Sequence, residues 1–227
     1  MMMNRIKSLL LALTFLAAFA TQGKQINVDL NRISFDVTSN PGNYGRLMDR
    51  YLAGDMSLTP EEMATVYYGY ASTPDYDPTD RFGNLDEAYT AMNYPEVWRL
   101  AKDAMQVNPV SLDVIIKALV AANNISDADA RKQIPILQNR YELLSNLILC
   151  SGKGTAPETP FIVICEDDML RIVRNVICAE TIIGRAMIKN IDAVKLLLPG
   201  SDRQHILYFD NNLQKAYERR QPLNRAR

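Results

Sequence analysis

Helical patterning runs almost without interruption from Leu85 to Leu149, and it constrains the fold more than any other feature of the chain. Apolar residues recur at helical spacing in segments of roughly 8 to 20 residues, which short loops separate. Short loops force consecutive helices to pack against each other as hairpins. The segments are DEAYTAM, PEVWRLAKDAMQV, SLDVIIKALVAAN and DADARKQIPILQNRYELLSNLIL.

The spacing of small and apolar residues across one hairpin is typical of a tetratricopeptide repeat. The positions concerned are Ala101, Ala104, Pro109, Leu112, Ile115 and Ala118. Small side chains allow two antiparallel helices to approach closely, and the proline ends the first of them. The pattern therefore predicts tetratricopeptide-like helical hairpins, and we expect Trp98 to lie in their core.

Local signals predict the first residue of a helix that lies before these hairpins in the chain. In SLTPEEMATVYYGYA, Thr59 is suited to the N-cap, Pro60 to the first helical position and Glu62 to the closing position of a capping box. Pro74 disfavours helical geometry in the residue before it, so this helix is expected to end near Ser72. A glycine inside the helix, Gly69, costs about 1 kcal/mol relative to alanine and indicates close approach of another segment, which we take to be backbone.

Tyrosines and aspartates at the end of this helix form the candidate binding site. The residues are Tyr67, Tyr68, Tyr70, Asp75, Tyr76 and Asp77, in the stretch VYYGYASTPDYDP. The tyrosines are expected chiefly to pack on the inner face of the helix with hydroxyls that reach the surface. They could instead serve as a platform for a ligand. The aspartates are typical of helix capping and turns, and the loop lacks the glycine and glutamate of an EF-hand.

The composition changes at SGKGTAPETP, where the helical pattern gives way to β-rich runs. FIVIC, CAETIIGRAMIK, AVKLLLP and HILYFD resemble strands, EDDMLRIVRNV resembles a helix, and PGSDRQ has turn chemistry. The fold class is therefore α+β, with helical hairpins first and a small antiparallel sheet with one helix after them. The expected divisions are a signal peptide (1–20), an N-terminal arm extended to Val37 (21–43), a helical-hairpin region (44–150), an α+β lobe (151–212) and a basic, frayed tail (213–227).

The first twenty residues are typical of an export signal. Arg5 and Lys7 precede an apolar run from Leu9, and Ala18-Phe19-Ala20 is a small-x-small tripeptide at which cleavage is expected. The apolar run is too short for an ordinary membrane span, so no stable span is expected after cleavage. Cleavage would move the formal net charge from −1 to −3, because two cations are lost, and an acidic surface argues against nucleic-acid binding. We expect an exported protein, periplasmic or extracellular.

Cysteine and histidine content gives little support to a metal site. Cys150, Cys165 and Cys178 have no paired spacing, and the chain contains a single histidine, His205. In an oxidising compartment Cys150 and Cys165 could form a disulfide, but we favour buried thiols, with Cys165 and Cys178 inside strands. No cofactor is expected.

Four stretches in their order along the chain resemble an exported bacterial family, domain of unknown function 4919. They are RYLAGDMSLTPEEMATVYYGYASTPDYDP, NPVSL, GTAPETPFIVI and ILYFD, and the resemblance covers about residues 30 to 212. YYGY followed by PDY is its most distinctive part. The resemblance implies the fold and export, and it brings no catalytic residue or ligand to this chain.

Three functions are consistent with these features. The first is a non-enzymatic interaction module whose helical hairpins bind a peptide or protein of the cell envelope. The second is a protein that binds carbohydrate or cell-wall fragments through Tyr67, Tyr70 and Tyr76. The third is a hydrolase that uses Asp75 or Asp77 as a base. The hydrolase has the weakest support, because the sequence contains no G-x-S-x-G motif and no phosphate-binding loop.

Overall fold

The computed structural model describes residues 25–79 and 82–225. Helices occupy the first part of this chain, and a sheet of four strands follows. The helices are α1 (Leu30–Ser39), α2 (Pro41–Leu52), α3 (Pro60–Tyr70), α4 (Gly83–Thr90), α5 (Tyr94–Val107), α6 (Leu112–Asn124), α7 (Ala128–Cys150), α8 (Glu166–Arg171, continued by a π-helical turn over Ile172–Val176) and α9 (Asn212–Arg225). The strands are β1 (Phe161–Ile162), β2 (Thr181–Ile188), β3 (Ile191–Leu197) and β4 (Gln204–Asp210). The predicted signal peptide lies outside the described residues.

Helix α3 begins as predicted. Thr59 Oγ1 accepts a hydrogen bond from the backbone N–H of Glu62, and Glu62 Oε2 accepts one from the N–H of Thr59. This reciprocal pair is a capping box, and it satisfies two amide donors that the first helical turn leaves free. The helix ends at Tyr70, before the proline that was expected to stop it.

The N-terminal arm is not extended, and this prediction was wrong. Residues Leu30–Ser39 form α1, which Asp29 caps by accepting a hydrogen bond from the N–H of Arg32. A helix places Ile33 and Val37 on one face, four residues apart, and both side chains lie against Gly69 of α3. Burial of this face outweighs the weak helix propensity of β-branched residues. Gly69 thus allows close approach as expected, but of side chains rather than backbone.

Helices α4 to α7 follow the predicted order and form successive hairpins. Helix α6 packs extensively against both α5 and α7, whereas α5 and α7 contact each other only sparsely. Trp98 in α5 is buried, as predicted. Because α6 fills the space on one side only, the arrangement leaves a groove between α5 and α7.

The sheet has the order β1-β4-β3-β2, so the predicted fold class, α+β with helices before the sheet, is confirmed. Strands β2, β3 and β4 are antiparallel, whereas the short β1 adds to β4 in parallel and makes the sheet mixed. Two cysteines expected in strands are not there. Cys165 is the N-cap residue of α8, and Cys178 lies after the π-helical turn with a φ of 57°.

One contiguous hydrophobic core joins the helices to the sheet among the described residues. The C-terminal segment also differs from the predicted frayed tail, because it forms α9. Within α9 the ring of Tyr217 packs edge-on against Tyr76, with 5.5 Å between centroids, and Gln214 accepts a hydrogen bond from the N–H of Glu166. The first half of α9 is thus held against the body of the protein.

The glycines of the SGKG segment are required by close packing. A Cβ atom on Gly152 would lie 1.9 Å from the carbonyl oxygen of Pro160, and one on Gly154 would lie 2.1 Å from the ring of Phe161. Gly154 also has a φ of 66°, a conformation that glycine adopts without strain. The segment is therefore a structural loop that folds back over β1.

Candidate functional site

The tyrosines of α3 all lie in the protein interior. Tyr67, Tyr68 and Tyr70 are each less than 5% exposed, and Tyr76, in the loop that follows, is 7% exposed. The rings contact each other edge-on, with centroids 5.0 Å apart for Tyr67 and Tyr68 and 5.9 Å apart for Tyr70 and Tyr76. These rings present no open face on which a sugar could stack.

The tyrosine hydroxyls were expected to reach the surface, but each donates a hydrogen bond inside the protein instead. The acceptor is the backbone carbonyl of Ile162 for Tyr68 and that of Ile164 for Tyr76. Tyr70 reaches the carbonyls of Asp75 and Val107. The predicted binding tyrosines therefore join α3 to the segment before α8 and to the end of α5.

Tyr67 meets a buried carboxyl group that sequence reasoning missed. Its hydroxyl donates to Asp168 Oδ2 at 2.7 Å and accepts from the N–H of Ile164 at 3.2 Å. Asp168 Oδ1 accepts from the N–H of Leu112 at 2.9 Å, which caps the start of α6. Burial raises the pKa of Asp168 to about 7, although these hydrogen bonds favour the charged form. Burial likewise raises the pKa of Tyr67 well above its ordinary value.

The two aspartates of the predicted site are not part of this buried cluster. Asp75 is exposed, and its backbone carbonyl rather than its carboxylate accepts from Tyr70. The carboxylate of Asp77 accepts hydrogen bonds from the N–H and the hydroxyl of Thr79, which is turn chemistry. The structure thus brings the tyrosines together and leaves these carboxylates in the loop.

A groove between α5 and α7 combines aromatic, apolar and charged side chains. Its volume is about 400 Å³, within the range of small-ligand pockets. Helix α5 contributes residues at helical spacing along one wall, and α7 contributes the other wall. The lining residues are Trp98, Lys102, Met105, Gln106, Asp129, Lys132, Gln133, Leu137 and Arg140.

Arg140 is the most informative residue of the α5–α7 groove. Its side chain is 5% exposed and lies over the ring of Tyr51, with 5.0 Å between the guanidinium carbon and the ring centroid. Nη2 donates to the carbonyl of Pro109 at 2.6 Å, and Nη1 lies 3.6 Å from the sulfur of Met105. Nε is buried and has no hydrogen-bond partner among the described residues.

A second buried cation, Lys117 of α6, shows how the same protein ordinarily compensates a buried charge. Lys117 is 3% exposed and forms ion pairs with both Asp86 and Asp113, and Asp113 also pairs with Arg171. Arg140 forms no ion pair with any carboxylate of the described residues. The charge of Arg140 is therefore compensated only by a carbonyl, a thioether and an aromatic ring, and a buried cation without a carboxylate is unusual.

The described residues contain no set of three or more histidine, cysteine, aspartate or glutamate side chains arranged to hold a metal ion. Within the same residues, no helix combines the length and the apolar character needed to cross a bilayer. All three cysteines are free thiols, and Cys165 is buried while Cys150 and Cys178 are half-buried.

Comparison with known proteins gives a family but no characterised relative. No curated protein and no solved structure matches the chain. The family model described as Domain of unknown function (DUF4919) matches residues 31–220, which include the tyrosine cluster, the α5–α7 groove and the whole sheet. The match extends over most of the chain and agrees with the resemblance seen in the sequence. The chain belongs to the DUF4919 family.

Proposed function

We propose that this protein is an exported, non-enzymatic interaction module that binds a peptide segment of a partner protein in the α5–α7 groove. The observation that carries the proposal is the groove itself, because two helices that share a neighbour leave an elongated depression between them. Helical hairpins commonly use such depressions to bind extended or helical peptides.

The lining of the groove supports a peptide as the ligand. Trp98 and Leu137 supply apolar surface, and Gln106 and Gln133 supply amide groups that can pair with a peptide backbone. An apolar base with a few polar groups is typical of sites that hold their ligand in one orientation. The buried tyrosines act in this proposal as the scaffold, since they connect the end of α5 to α3 and to the segment before α8.

The single tryptophan of the chain makes peptide binding measurable. A random hexapeptide library would be passed over the immobilised protein, retained peptides would be identified by mass spectrometry, and their binding would be followed by Trp98 fluorescence. We expect retained peptides to change this fluorescence and to lose binding when Gln133→Tyr fills the groove. Gln138→Tyr is the matched control, because Gln138 is an exposed residue of the same helix and does not line the groove.

Two results would count against the proposal. The first is a library from which the wild-type protein retains no peptide above the level of a blocked resin. The second is equal retention by the wild type and the Gln133→Tyr variant, because binding would then occur outside the groove.

Export is proposed on the leader sequence of residues 1–20 and has its own test. In the native cell, the mature protein is expected in the envelope or the medium with Thr21 as its first residue. N-terminal sequencing of the fractionated protein checks this, and an intact Met1 in the cytoplasmic fraction would refute it.

A further inference from the structure

We infer that the α5–α7 groove recognises its peptide through a carboxylate, which pairs with the guanidinium group of Arg140. This inference rests on the proposed function and adds the chemistry of the partner. Among the buried cations of the described residues, Lys117 is matched by two carboxylates and Arg140 by none. A ligand carboxylate would supply the missing partner.

The geometry of Arg140 leaves donor capacity for a ligand. Of its nitrogen atoms, Nη2 is engaged with the carbonyl of Pro109, Nε has no partner, and Nη1 has only the sulfur of Met105 at 3.6 Å. A guanidinium has five N–H donors, and the planar forks that bind the two oxygens of a carboxylate are formed by Nε with Nη2 or by Nη1 with Nη2. Nη2 carries two hydrogens, so it can take part in a fork while it donates to Pro109. A thioether is a weak acceptor, so a carboxylate competes well with Met105 for Nη1.

Met105 lies beside the cation, with its sulfur 3.6 Å from Nη1 of Arg140. Its side chain also lines the groove and is partly exposed. Methionine is unbranched and adopts many rotamers, which allows it to move aside at small cost. Binding therefore requires a local rearrangement of Met105, and the newly paired charge lies in a site of low dielectric, where the interaction is strong.

The remaining charges of the groove favour an anion. Lys102 and Lys132 line its walls, and Asp129 is the sole carboxylate among its lining residues. Asp129 lies 3.9 Å from Lys132, so one carboxylate stands against three cations, Lys102, Lys132 and Arg140. Lys102 is held 5.6 Å from the centre of the Trp98 ring. The groove is thus locally basic in a chain whose formal net charge is −1.

The test compares hexapeptide libraries that differ only in their carboxylates. One library has free C-termini, one has amidated C-termini, and each is made with and without aspartate and glutamate. We expect peptides with at least one carboxylate to be retained about 10- to 100-fold more strongly than peptides with none, as for a charge-assisted hydrogen-bonded pair. The carboxylate can belong to the C-terminus or to an acidic side chain of the peptide. Loss of retention on amidation identifies the C-terminus, and loss of retention on removal of aspartate and glutamate identifies the side chain.

Arg140→Met provides the decisive variant. Methionine has a similar length and no charge. The substitution removes the hydrogen bond from Arg140 to the carbonyl of Pro109, although the hydroxyl of Tyr51 still reaches that carbonyl, so urea denaturation is used to check that the variant folds. The folded variant should lose the preference for carboxylates. Arg140→Lys keeps the charge without the fork and should retain only part of the preference. Arg174→Met, at an exposed arginine outside the groove, is the control and should behave as the wild type.

Each other outcome overturns the inference in a recognisable way. Groove-dependent retention that is equal for all libraries would refute carboxylate recognition and leave the peptide-binding proposal standing. An unchanged carboxylate preference in Arg140→Met or, should that variant not fold, in Arg140→Lys would give Arg140 a purely structural role. Absence of any groove-dependent retention would refute both proposals.

Discussion

The hydroxyl of Tyr67 donates a 2.7 Å hydrogen bond to Oδ2 of Asp168, 101 positions further along the chain, and both side chains are fully buried. Through this contact α3 is connected to α8, the helix between β1 and β2. The other carboxylate oxygen caps α6 at the N–H of Leu112. One buried carboxyl group therefore holds three helices that are distant in sequence.

Substitution of Tyr67 by phenylalanine should destabilise the protein by about 1–3 kcal/mol, because it leaves Asp168 Oδ2 and the N–H of Ile164 buried without this partner. Urea denaturation measures the effect. Tyr208→Phe is the matched control, since Tyr208 is half-buried and its hydroxyl has no hydrogen bond among the described residues, so its loss should change stability by less than about 0.5 kcal/mol. Equal effects of both changes would contradict the prediction.

Stability should depend on the protonation of Asp168. Its pKa is about 7 in the folded protein and near 3.8 in an unfolded chain, so the folded state binds the proton more tightly. The contribution of Asp168 to the free energy of unfolding is therefore full below about pH 4. It is lost as pH rises towards 7, by at most ~1.4 kcal/mol per pH unit. Urea midpoints measured across this range should fall in the wild type relative to Asp168→Asn.

The difference between the wild type and Asp168→Asn is the informative quantity, because other carboxyl groups titrate in the same range in both proteins. Asparagine keeps an acceptor for the N–H of Leu112 and cannot ionise. A difference that stays constant from pH 4 to pH 7 would mean that Asp168 has an ordinary pKa.

Substitution of Gly69 by alanine should destabilise the protein by about 1–3 kcal/mol, although alanine is the better helix former. The new Cβ would lie 2.7 Å from Val37 Cγ2 and 3.2 Å from Tyr44 Cε2. Gly45→Ala in α2 is the matched control, because no atom lies within 4 Å of its new methyl group, and it should stabilise by up to about 1 kcal/mol. Thermal denaturation of both variants checks the prediction, which fails if Gly69→Ala is as stable as Gly45→Ala.

Cys165 should react with alkylating reagents far more slowly than Cys150 and Cys178. Burial raises the pKa of the Cys165 thiol well above its ordinary value, and its side chain is 7% exposed, whereas the other two cysteines are half-buried. Iodoacetamide labelling followed by peptide mapping should modify Cys165 only after denaturation. Rapid native labelling of Cys165, or recovery of a disulfide, would contradict the structure.

Local signals near the helix ends predicted much of the helical part. The pairing of Thr59 with Glu62 depends on residues three positions apart, so the sequence alone locates the start of α3. The hairpins from Leu85 to Leu149 and the change to strands after residue 154 were likewise visible as periodicity and composition. These features arise from interactions between neighbours in the chain.

The failed predictions concern segments whose structure depends on distant partners. Residues 30–39 carry β-branched side chains that suit a strand, but Val37 is buried against Gly69 only if the segment is helical. Cys165 follows an apolar run, yet strand β1 ends at Ile162. The basic composition of residues 213–227 predicts a frayed tail, but Tyr217 packs against Tyr76, a partner that is far away in sequence.

The sequence by itself determined the α+β class, the order of its elements, the capped start of α3 and the membership of a family. Only the tertiary structure decided which charged side chains are buried. Nothing local distinguishes Asp168 from Glu166 and Asp167 beside it, or Arg140 from the exposed Arg131 of the same helix. The free energy of a buried charge depends on the groups that surround it in space, and folding brings these together from α2, α3, α5, α6 and α7.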